Sequence, residues 1–238
     1  MEQAVLFEVR DQVALITLNR PKRHNAINQA LLCCLYDHLE TVSRKEEIRV
    51  AILTGNGKSF CSGIDLEAAV TENLFDPRDD GRDLPDIIAE CRKPLIGAIN
   101  GYAITGGFEI ALNCDFLIAS EQAFFADTHA KVGIHPGWGM TQLLQQAIGQ
   151  RRARQMSYTC QPISAQKAFQ WGLVNEVVPH EMLLPRARQI AADICAVHQN
   201  ILGDIQNLIE YRNGTTLAAA YAHEREGFRA FKNELFKR

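Results

Sequence analysis

The chain has 238 residues, of which 47% are hydrophobic and 22% charged, a balance that indicates a globular protein with a sizeable core and excludes a disordered or fibrous chain. Its 25 Lys and Arg residues against 28 Asp and Glu residues give a formal net charge of -3. With no basic block to neutralise phosphates, we expect no nucleic-acid partner.

Neither a membrane span nor a secretory leader is apparent in the sequence. No apolar run approaches the roughly eighteen residues that cross a bilayer, and the N-terminal residues lack a basic segment followed by an apolar one. The seven cysteines are odd in number and contain no C-x-x-C pair. We therefore expect a cytoplasmic protein with reduced thiols, no membrane partner and no metal site.

The first 130 residues alternate strand and helix patterns. Apolar and β-branched runs predict a hairpin of strands 6–9 and 13–18, buried strands over 49–54 and 95–99, and further strands over 116–119 and 123–126. Helical spacing predicts a helix over 28–42, with Asn28 as its N-cap, and a short helix after Gly106-Gly107. Segment 67–90 holds two weak helical stretches around the polar residues 75–82, which include breaker residues, and we expect a mobile loop there.

After Met140 the pattern becomes mainly helical. Helices are predicted over 143–148, 153–158, 164–171, 182–197 and 217–236, with one strand over 176–178. This order favours an α/β core with a helical C-terminal extension over two unrelated domains. We place the core at residues 1–180 and the extension at 181–238.

Two glycine-bearing turns follow apolar strand candidates and could open helices. One is Ser62-Gly63-Ile64, and the other is Gly106-Gly107, shortly before Glu109. The first N–H groups of a helix lack intrahelical acceptors, so two such starts brought together would form an oxyanion hole, with Glu109 one turn further on. Taken singly, Gly-Gly is typical of tight packing and an early Glu is typical of a partner for the helix dipole.

Two other chemistries are excluded by residue spacing. Gly57-Lys58-Ser59 resembles the end of a phosphate-binding loop, but Ile52 stands where that pattern requires glycine, and G-x-G-x-x-G is absent. Ser62 lacks the G-x-S-x-G elbow because Phe60 occupies the first glycine position. The sequence therefore does not indicate a nucleotide-binding protein or a serine hydrolase.

Five spaced motifs carry a resemblance to a known family. They are, in order, Leu18-Asn19-Arg20-Pro21 with Asn25-Ala26-Ile27-Asn28; Phe60-Cys61-Ser62-Gly63-Ile64-Asp65-Leu66; Lys93-Pro94 with Ala98-Ile99-Asn100-Gly101-Tyr102-Ala103; Gly106-Gly107-Phe108-Glu109-Ile110-Ala111; and Cys114-Asp115-Phe116 with Gly133-Ile134-His135-Pro136-Gly137. Over most of its length the chain resembles the crotonase superfamily, the enoyl-CoA hydratase/isomerase family. The resemblance implies a spiral of β-β-α units whose C-terminal helices build homotrimers, often paired into hexamers.

The resemblance also implies roles for particular residues. The amides of Ile64 and Gly106 would bind the thioester oxygen of an acyl-CoA, and Glu109 matches one of the two catalytic glutamates of the hydratases. The CoA site would be lined by two segments that contain Arg23, Ala26, Ser62, Asp65 and Leu66. Removing or adding a proton beside a thioester passes through an enolate, which two aimed N–H donors stabilise without a metal or redox cofactor, so CoA enters only as part of the substrate.

The sequence departs from the hydratase pattern at the second glutamate, where His129 stands. Histidine could hold water or exchange a proton near neutral pH, or it could be structural. Asp127 is the nearest carboxylate, and if the preceding strand continued, its alternation would point Asp127 and His129 the same way. Asp127 would then orient His129 or act as a second acid.

The leading expectation is an enoyl-CoA hydratase of fatty acid metabolism and β-oxidation, with Glu109 and His129 as catalytic residues. Hydration needs one group that takes a proton from water and one that delivers a proton to carbon, whereas moving a double bond can use a single base. An isomerase that uses Glu109 alone, or a catalytically silent acyl-CoA-binding protein, therefore remain alternatives. Trp138, between two glycines, could form a wall of the acyl pocket, but core packing explains an aromatic residue there at least as well, and Trp138 is not included in the catalytic set.

Overall fold

The computed structural model describes residues 3–235. The strands are β1 (Val5–Arg10), β2 (Val13–Leu18), β3 (Val50–Gly55), β4 (Ser59–Cys61), β5 (Leu95–Ile99), β6 (Tyr102–Ile104), β7 (Phe116–Ser120), β8 (Phe124–Ala126), β9 (Ile163–Ser164) and β10 (Glu176–Val178). The α-helices are α1 (Gln29–Arg44), α2 (Ala68–Thr71), α3 (Leu84–Glu90), α4 (Gly106–Leu112), α5 (His129–Val132), α6 (Met140–Ile148), α7 (Gln150–Thr159), α8 (Ala165–Trp171), α9 (Leu183–Ala196), α10 (Gln199–Asn213) and α11 (Leu217–Leu235).

Two sheets organise the first part of the chain. The larger has the order β1-β2-β3-β5-β7-β10, and the smaller has the order β4-β6-β8-β9. The β1–β2 hairpin is antiparallel, whereas β2, β3, β5, β7 and β10 are parallel neighbours. Three times in succession a strand of the large sheet is followed by a strand of the small sheet and then a helix, which confirms the predicted β-β-α arrangement.

Most of the predicted elements are present close to their expected bounds. The hairpin turns at Asp11 and Gln12, which both have positive φ, as a two-residue hairpin turn with right-handed strand twist requires. Helix α1 begins where predicted, because the Asn28 side chain accepts a hydrogen bond from the Leu31 N–H at 3.1 Å. The short strands β4 and β6 and helix α10 were not predicted.

The first compact unit extends through Cys195 rather than ending at residue 180. The reason is helix α9, which buries Leu183, Ala187 and Ala191 in a cluster with large-sheet residues such as Val50 and Ile96. Parallel strands are normally covered on both faces. Helix α9 therefore belongs to the core that the sequence had assigned to residues 1–180.

The segment 67–90, expected to be a mobile loop, is anchored to α1. The Arg78 guanidinium contacts Asp37 Oδ1 at 2.9 Å and Glu40 Oε1 at 3.0 Å. Helix α3 begins with a capping box between Asp83 and Asp86. The two predicted helical stretches are present as α2 and α3. The anchoring was not predicted, because its carboxylates lie on a distant helix and local composition does not reveal them.

The second compact unit, Ala196–Arg238, contains α10 and α11. Within this unit the rings of Tyr211 and His223 stack with centroids 4.2 Å apart. Several large apolar side chains of the unit are exposed, among them Ile205, Ile209 and Phe228. The predicted end of the last helix, Phe236, lies outside the described residues. Within residues 3–235, no helix combines the length and the apolarity that a membrane crossing requires.

Candidate active site

The two glycine-bearing turns meet at one place in the fold. A Cβ built on Gly63 would lie 2.9 Å from the Ile104 carbonyl oxygen and 3.6 Å from the Gly106 nitrogen, and one built on Gly106 would lie 3.6 Å from Ile64 Cγ1. Gly63 has a φ of +95°, which an L side chain rarely adopts. The structure therefore brings together the two turns that the sequence singled out.

The backbone geometry of these turns leaves two amides available. Ile27 forms a parallel bridge with Ile64 by donating to Gly63 O at 2.8 Å and accepting from Asp65 N at 2.9 Å. The N–H of the bridged residue Ile64 itself points away from Ile27, because strand amides alternate in direction. Gly106 is the first residue of α4, so its N–H has no intrahelical acceptor.

Thr105 holds the second turn in a strained conformation. Its φ is 52° and its ψ is -117°, which is an outlier for a β-branched residue. Its N–H donates to Ala126 O at 2.9 Å, and its hydroxyl hydrogen-bonds with the Thr128 hydroxyl. Strained residues of this kind cluster at functional sites, and this one fixes the Gly106 amide relative to the end of β8.

Glu109 lies one helical turn beyond Gly106 and is only 2% exposed. Its Oε1 accepts hydrogen bonds from the backbone N–H groups of Trp138 at 2.9 Å and Met140 at 3.2 Å. These donors belong to the start of α6, where a carboxylate is favoured by the helix dipole. The other carboxylate oxygen, Oε2, remains directed at His129, with Nε2 3.5 Å away.

His129 is held between two carboxylates. Its Nδ1 lies 2.7 Å from Asp127 Oδ1, and its backbone N–H donates to the same oxygen at 3.1 Å. The sequence led us to expect this pairing from strand alternation. It arises differently, because β8 ends at Ala126 and His129 begins α5. A turn closed by the Asp127 side chain brings the two residues together instead.

The charges of these groups reinforce one another. Burial by itself would lower the pKa of His129, but hydrogen bonds and charge interactions with Asp127 and Glu109 outweigh it and raise the pKa to about 9. Burial would likewise raise the pKa of Asp127, yet hydrogen bonds from His129 and Ser157 lower it overall. His129 is therefore a cation at neutral pH, flanked by two acids.

An open cavity of about 530 Å³ adjoins the two turns. All five residues predicted to bind substrate line it: Arg23, Ala26, Ser62, Asp65 and Leu66. Ile64, Thr105 and Thr128 also line the cavity, whereas Glu109, His129 and Gly106 are buried behind that lining.

The mouth of the cavity carries basic residues. Lys22 and Arg23 line it, and the Arg23 guanidinium lies 3.7 Å from the carboxylate of Asp65. Arg20, to which the sequence assigned no role beyond its place in a motif, pairs with Asp65 at 3.2 Å and so fixes the loop that carries Ile64. Its partner is distant in the chain, and only the shared motif could have signalled it. Within residues 3–235, no group of three or more His, Cys, Asp or Glu side chains could hold a metal ion.

Trp138 lies beside Gly106 and Glu109. It is 1% exposed, and its ring atom Cζ3 would lie 3.5 Å from a Cβ on Gly106. The ring of Phe75 lies over it, with centroids 6.0 Å apart. The core-packing interpretation accounts for its burial, but its position beside Gly106 places it at the site.

Comparisons with known proteins identify the family. A model of the family "Enoyl-CoA hydratase/isomerase" matches residues 8–237. The chain is 40% identical to "Probable enoyl-CoA hydratase 1, peroxisomal" of Arabidopsis thaliana, covering 100% of this chain and 92% of that protein. It is 36% identical to 2,3-dehydroadipyl-CoA hydratase of Escherichia coli, covering 92% and 86% of the two chains.

Solved structures give the same result. A protein of Geobacillus kaustophilus described as an enoyl-CoA hydratase subunit superposes with a TM-score of 0.89 at 29% identity, covering 97% of this chain and 90% of that one. The crystal structure of an enoyl-CoA hydratase from Mycobacterium tuberculosis superposes with a TM-score of 0.80 at 39% identity, covering 95% and 99%. The resemblance therefore extends over the whole architecture.

Proposed function

Because the chain belongs to the enoyl-CoA hydratase/isomerase family, whose model matches residues 8–237, we propose that it adds water to a 2-enoyl-CoA to form a 3-hydroxyacyl-CoA. The observation that carries the proposal is the convergence of two backbone turns beside the buried Glu109–His129 pair. The relatives named as hydratases support it. The reaction would belong to fatty acid metabolism and β-oxidation.

In the proposed reaction the amides of Ile64 and Gly106 hold the thioester oxygen. Addition of water to C3 moves the double-bond electrons toward the carbonyl, so negative charge develops on that oxygen. Each pre-aimed N–H donor lowers the barrier by about 3 kcal/mol, a typical value for one oxyanion donor. The charge of His129 adds to this stabilisation because it lies in the same buried region.

Glu109 and His129 divide the two proton transfers. Glu109 takes a proton from water as the water oxygen bonds to C3, and protonated His129 gives its Nε2 proton to C2 of the enolate. Glu109 is then protonated and His129 neutral. A proton passing between Oε2 and Nε2, which are 3.5 Å apart, restores the starting state with one water added.

The substrate's CoA portion would occupy the cavity beside the two turns. Ala26, Ser62 and Leu66 would contact its pantetheine arm, and Lys22 and Arg23 at the mouth would pair with its phosphates. Asp65 would act mainly through Arg20, by fixing the Ile64 loop. The mechanism uses no cofactor apart from the CoA of the substrate.

Kinetics with crotonyl-CoA test the assignment. We expect Glu109→Gln and His129→Gln each to lower kcat by about a hundredfold to ten-thousandfold, the usual contribution of a general acid or base. Glu47→Gln is the matched control because its side chain is 64% exposed. An unaffected Glu109→Gln variant would contradict the proposal.

Two other outcomes point to the alternatives. Migration of a 3-enoyl-CoA double bond without hydration, insensitive to His129→Gln, would identify an isomerase that uses Glu109 alone. Tight acyl-CoA binding without turnover of either substrate would identify a silent binding protein.

We further propose a homotrimer or a pair of trimers, located in the cytoplasm. Exposed apolar side chains on α10 and α11, among them Ile205, Ile209 and Phe228, support self-association. The seven cysteines are free thiols, which suits a reducing compartment. Sedimentation of the native chain and of Ile209→Lys tests the assembly: the native chain should sediment as a trimer or larger, and the variant as a smaller species.

A further inference from the structure

Trp138 lies where the acyl chain of a substrate must pass. The thioester oxygen belongs between Ile64 and Gly106, and the CoA portion leaves through the open cavity. The acyl portion must then leave on the side of Glu109, since its C2 and C3 atoms react there. Trp138 is on that side, because its own backbone N–H donates to Glu109 Oε1 at 2.9 Å.

The indole ring closes that side tightly. A Cβ built on Gly106 would lie 3.5 Å from Trp138 Cζ3 and 3.2 Å from Ile27 Cδ1. Trp138 is 1% exposed, and the cavity lining does not reach it. Close-packed aromatic surface of this kind leaves no channel for a long hydrocarbon chain.

Phe75 forms the outer layer of the same wall. Its ring is tilted over the Trp138 ring at a centroid distance of 6.0 Å, and its Cε1 atom would lie 3.4 Å from a Cβ on Gly137. The Phe75 side chain is itself exposed. The wall therefore runs from the buried indole to the surface.

The segment that carries Phe75 is tied down on both sides. Gln29 donates a hydrogen bond to the segment on each side of Phe75. Its backbone N–H donates to Glu72 Oε2 at 2.6 Å, and its side chain donates to Pro77 O at 2.8 Å. Arg78 adds the ion pairs to α1. A wall held by several contacts resists displacement by an entering chain.

We propose that Trp138, backed by Phe75, sets the acyl-length limit of this protein and restricts it to short acyl chains. The proposal rests on the proposed function for the direction in which the substrate lies. The wall acts by steric exclusion, through the ring and not through the indole N–H, which is buried without a hydrogen-bond partner among the described residues.

Binding of saturated acyl-CoAs, measured by calorimetry, tests the limit without requiring turnover. In an open apolar pocket each added methylene would tighten binding about fourfold. We expect the native chain to bind decanoyl-CoA no more tightly than butanoyl-CoA. We expect Trp138→Ala to bind decanoyl-CoA at least about tenfold more tightly than butanoyl-CoA. A native affinity that rises steadily with chain length, or an unchanged profile in Trp138→Ala, would overturn the proposal.

Further variants separate the ring from its N–H and guard against misfolding. Trp138→Phe keeps an aromatic wall and should retain the short-chain preference; behaviour like Trp138→Ala would overturn the steric account. Phe75→Ala changes an exposed residue and should relax the preference partly, while Phe169→Ala, a comparably exposed phenylalanine outside the site, should not. If Phe75→Ala leaves the dependence of affinity on acyl length unchanged, Phe75 is not part of the wall.

The same binding data distinguish this inference from the proposed function. If the native chain fails to hydrate crotonyl-CoA but shows the expected length profile, the proposed function fails and the acyl-length wall stands. If hydration occurs and the profile rises with length, the wall fails and the proposed function stands.

Discussion

His129 is joined to Asp127 twice through one oxygen, since both its Nδ1 and its backbone N–H lie within hydrogen-bond distance of Asp127 Oδ1, at 2.7 Å and 3.1 Å. This double contact fixes the ring plane and directs Nε2 at Glu109, 3.5 Å away. In the proposed mechanism, a histidine held in this way presents its Nε2 proton on the side of Glu109. In that mechanism this cationic histidine takes the place of the second glutamate of the hydratase pattern.

The first prediction concerns Asp127→Asn. The variant removes one of the two carboxylates that raise the pKa of His129 to about 9. We expect the alkaline limb of kcat/KM for hydration, near pH 9 in the native chain, to move down by about one unit or more. Asp11→Asn, at an exposed hairpin turn, is the control and should leave the profile in place. An unmoved limb in Asp127→Asn would show that His129 does not govern it.

The second prediction concerns stability and pH. The pKa of His129 is about 9 in the folded chain against 6.5 for the ordinary side chain, so its contribution is complete below about pH 6.5 and is lost as pH rises through 9. The difference in unfolding free energy between the native chain and His129→Gln should therefore shrink by about 1–3 kcal/mol over that window. Urea titrations at both ends measure it. A constant difference would contradict the ion pairing.

The third prediction contrasts two adjacent glycines. A Cβ on Gly107 would lie 2.2 Å from the Cys61 carbonyl oxygen, whereas one on Gly106 first meets the end of the Ile27 side chain at 3.2 Å. We expect Gly107→Ala to destabilise the fold by about 3 kcal/mol or more, since backbone must move. Gly106→Ala should cost less than about 1 kcal/mol in unfolding free energy. Equal thermal midpoints for the two variants would argue against the close packing of α4 on β4.

The fourth prediction concerns the anchored segment 67–90. Arg78 is 16% exposed and pairs with Asp37 and Glu40. Arg78→Ala therefore removes the ion pair of Asp37 and one of the pairs of Glu40, which keeps Arg44 and Arg82. We expect a loss of about 1–3 kcal/mol in unfolding free energy and faster amide hydrogen exchange across residues 72–83. Arg44→Ala is the control, because Arg44 pairs with the same Glu40 but is 70% exposed. It should change the unfolding free energy and the exchange rates much less. Unchanged exchange in Arg78→Ala would restore the mobile-loop interpretation.

Local patterns in the sequence predicted the elements that local chemistry determines. The Asn28 cap, the hairpin and strand β5 follow from residues adjacent in the chain. The short strands β4 and β6 could not be predicted in this way, because three residues carry too little periodicity and their pairing partners lie far apart in sequence. The anchoring of Arg78 and the packing of α9 were not predicted, for the same reason.

The candidate site shows the same division. Gly106 and Glu109 were found from spacing, since one helical turn relates them. The Asp127–His129 contact was anticipated from a strand alternation that the structure does not have, and a turn produces it instead. For Trp138 the sequence could not distinguish a wall of the acyl pocket from core packing, because that choice depends on the position of Gly106 in space.

In the proposed mechanism the amides of Ile64 and Gly106 converge on one thioester oxygen. Isotope-edited infrared spectroscopy of butanoyl-CoA, labelled with ¹³C at the thioester carbon, reports that contact directly. Two N–H donors polarise the carbonyl bond, so the labelled band of the bound ligand should move to lower frequency than that of the free ligand in water. A bound ligand whose carbonyl band stays at the free position would contradict the account.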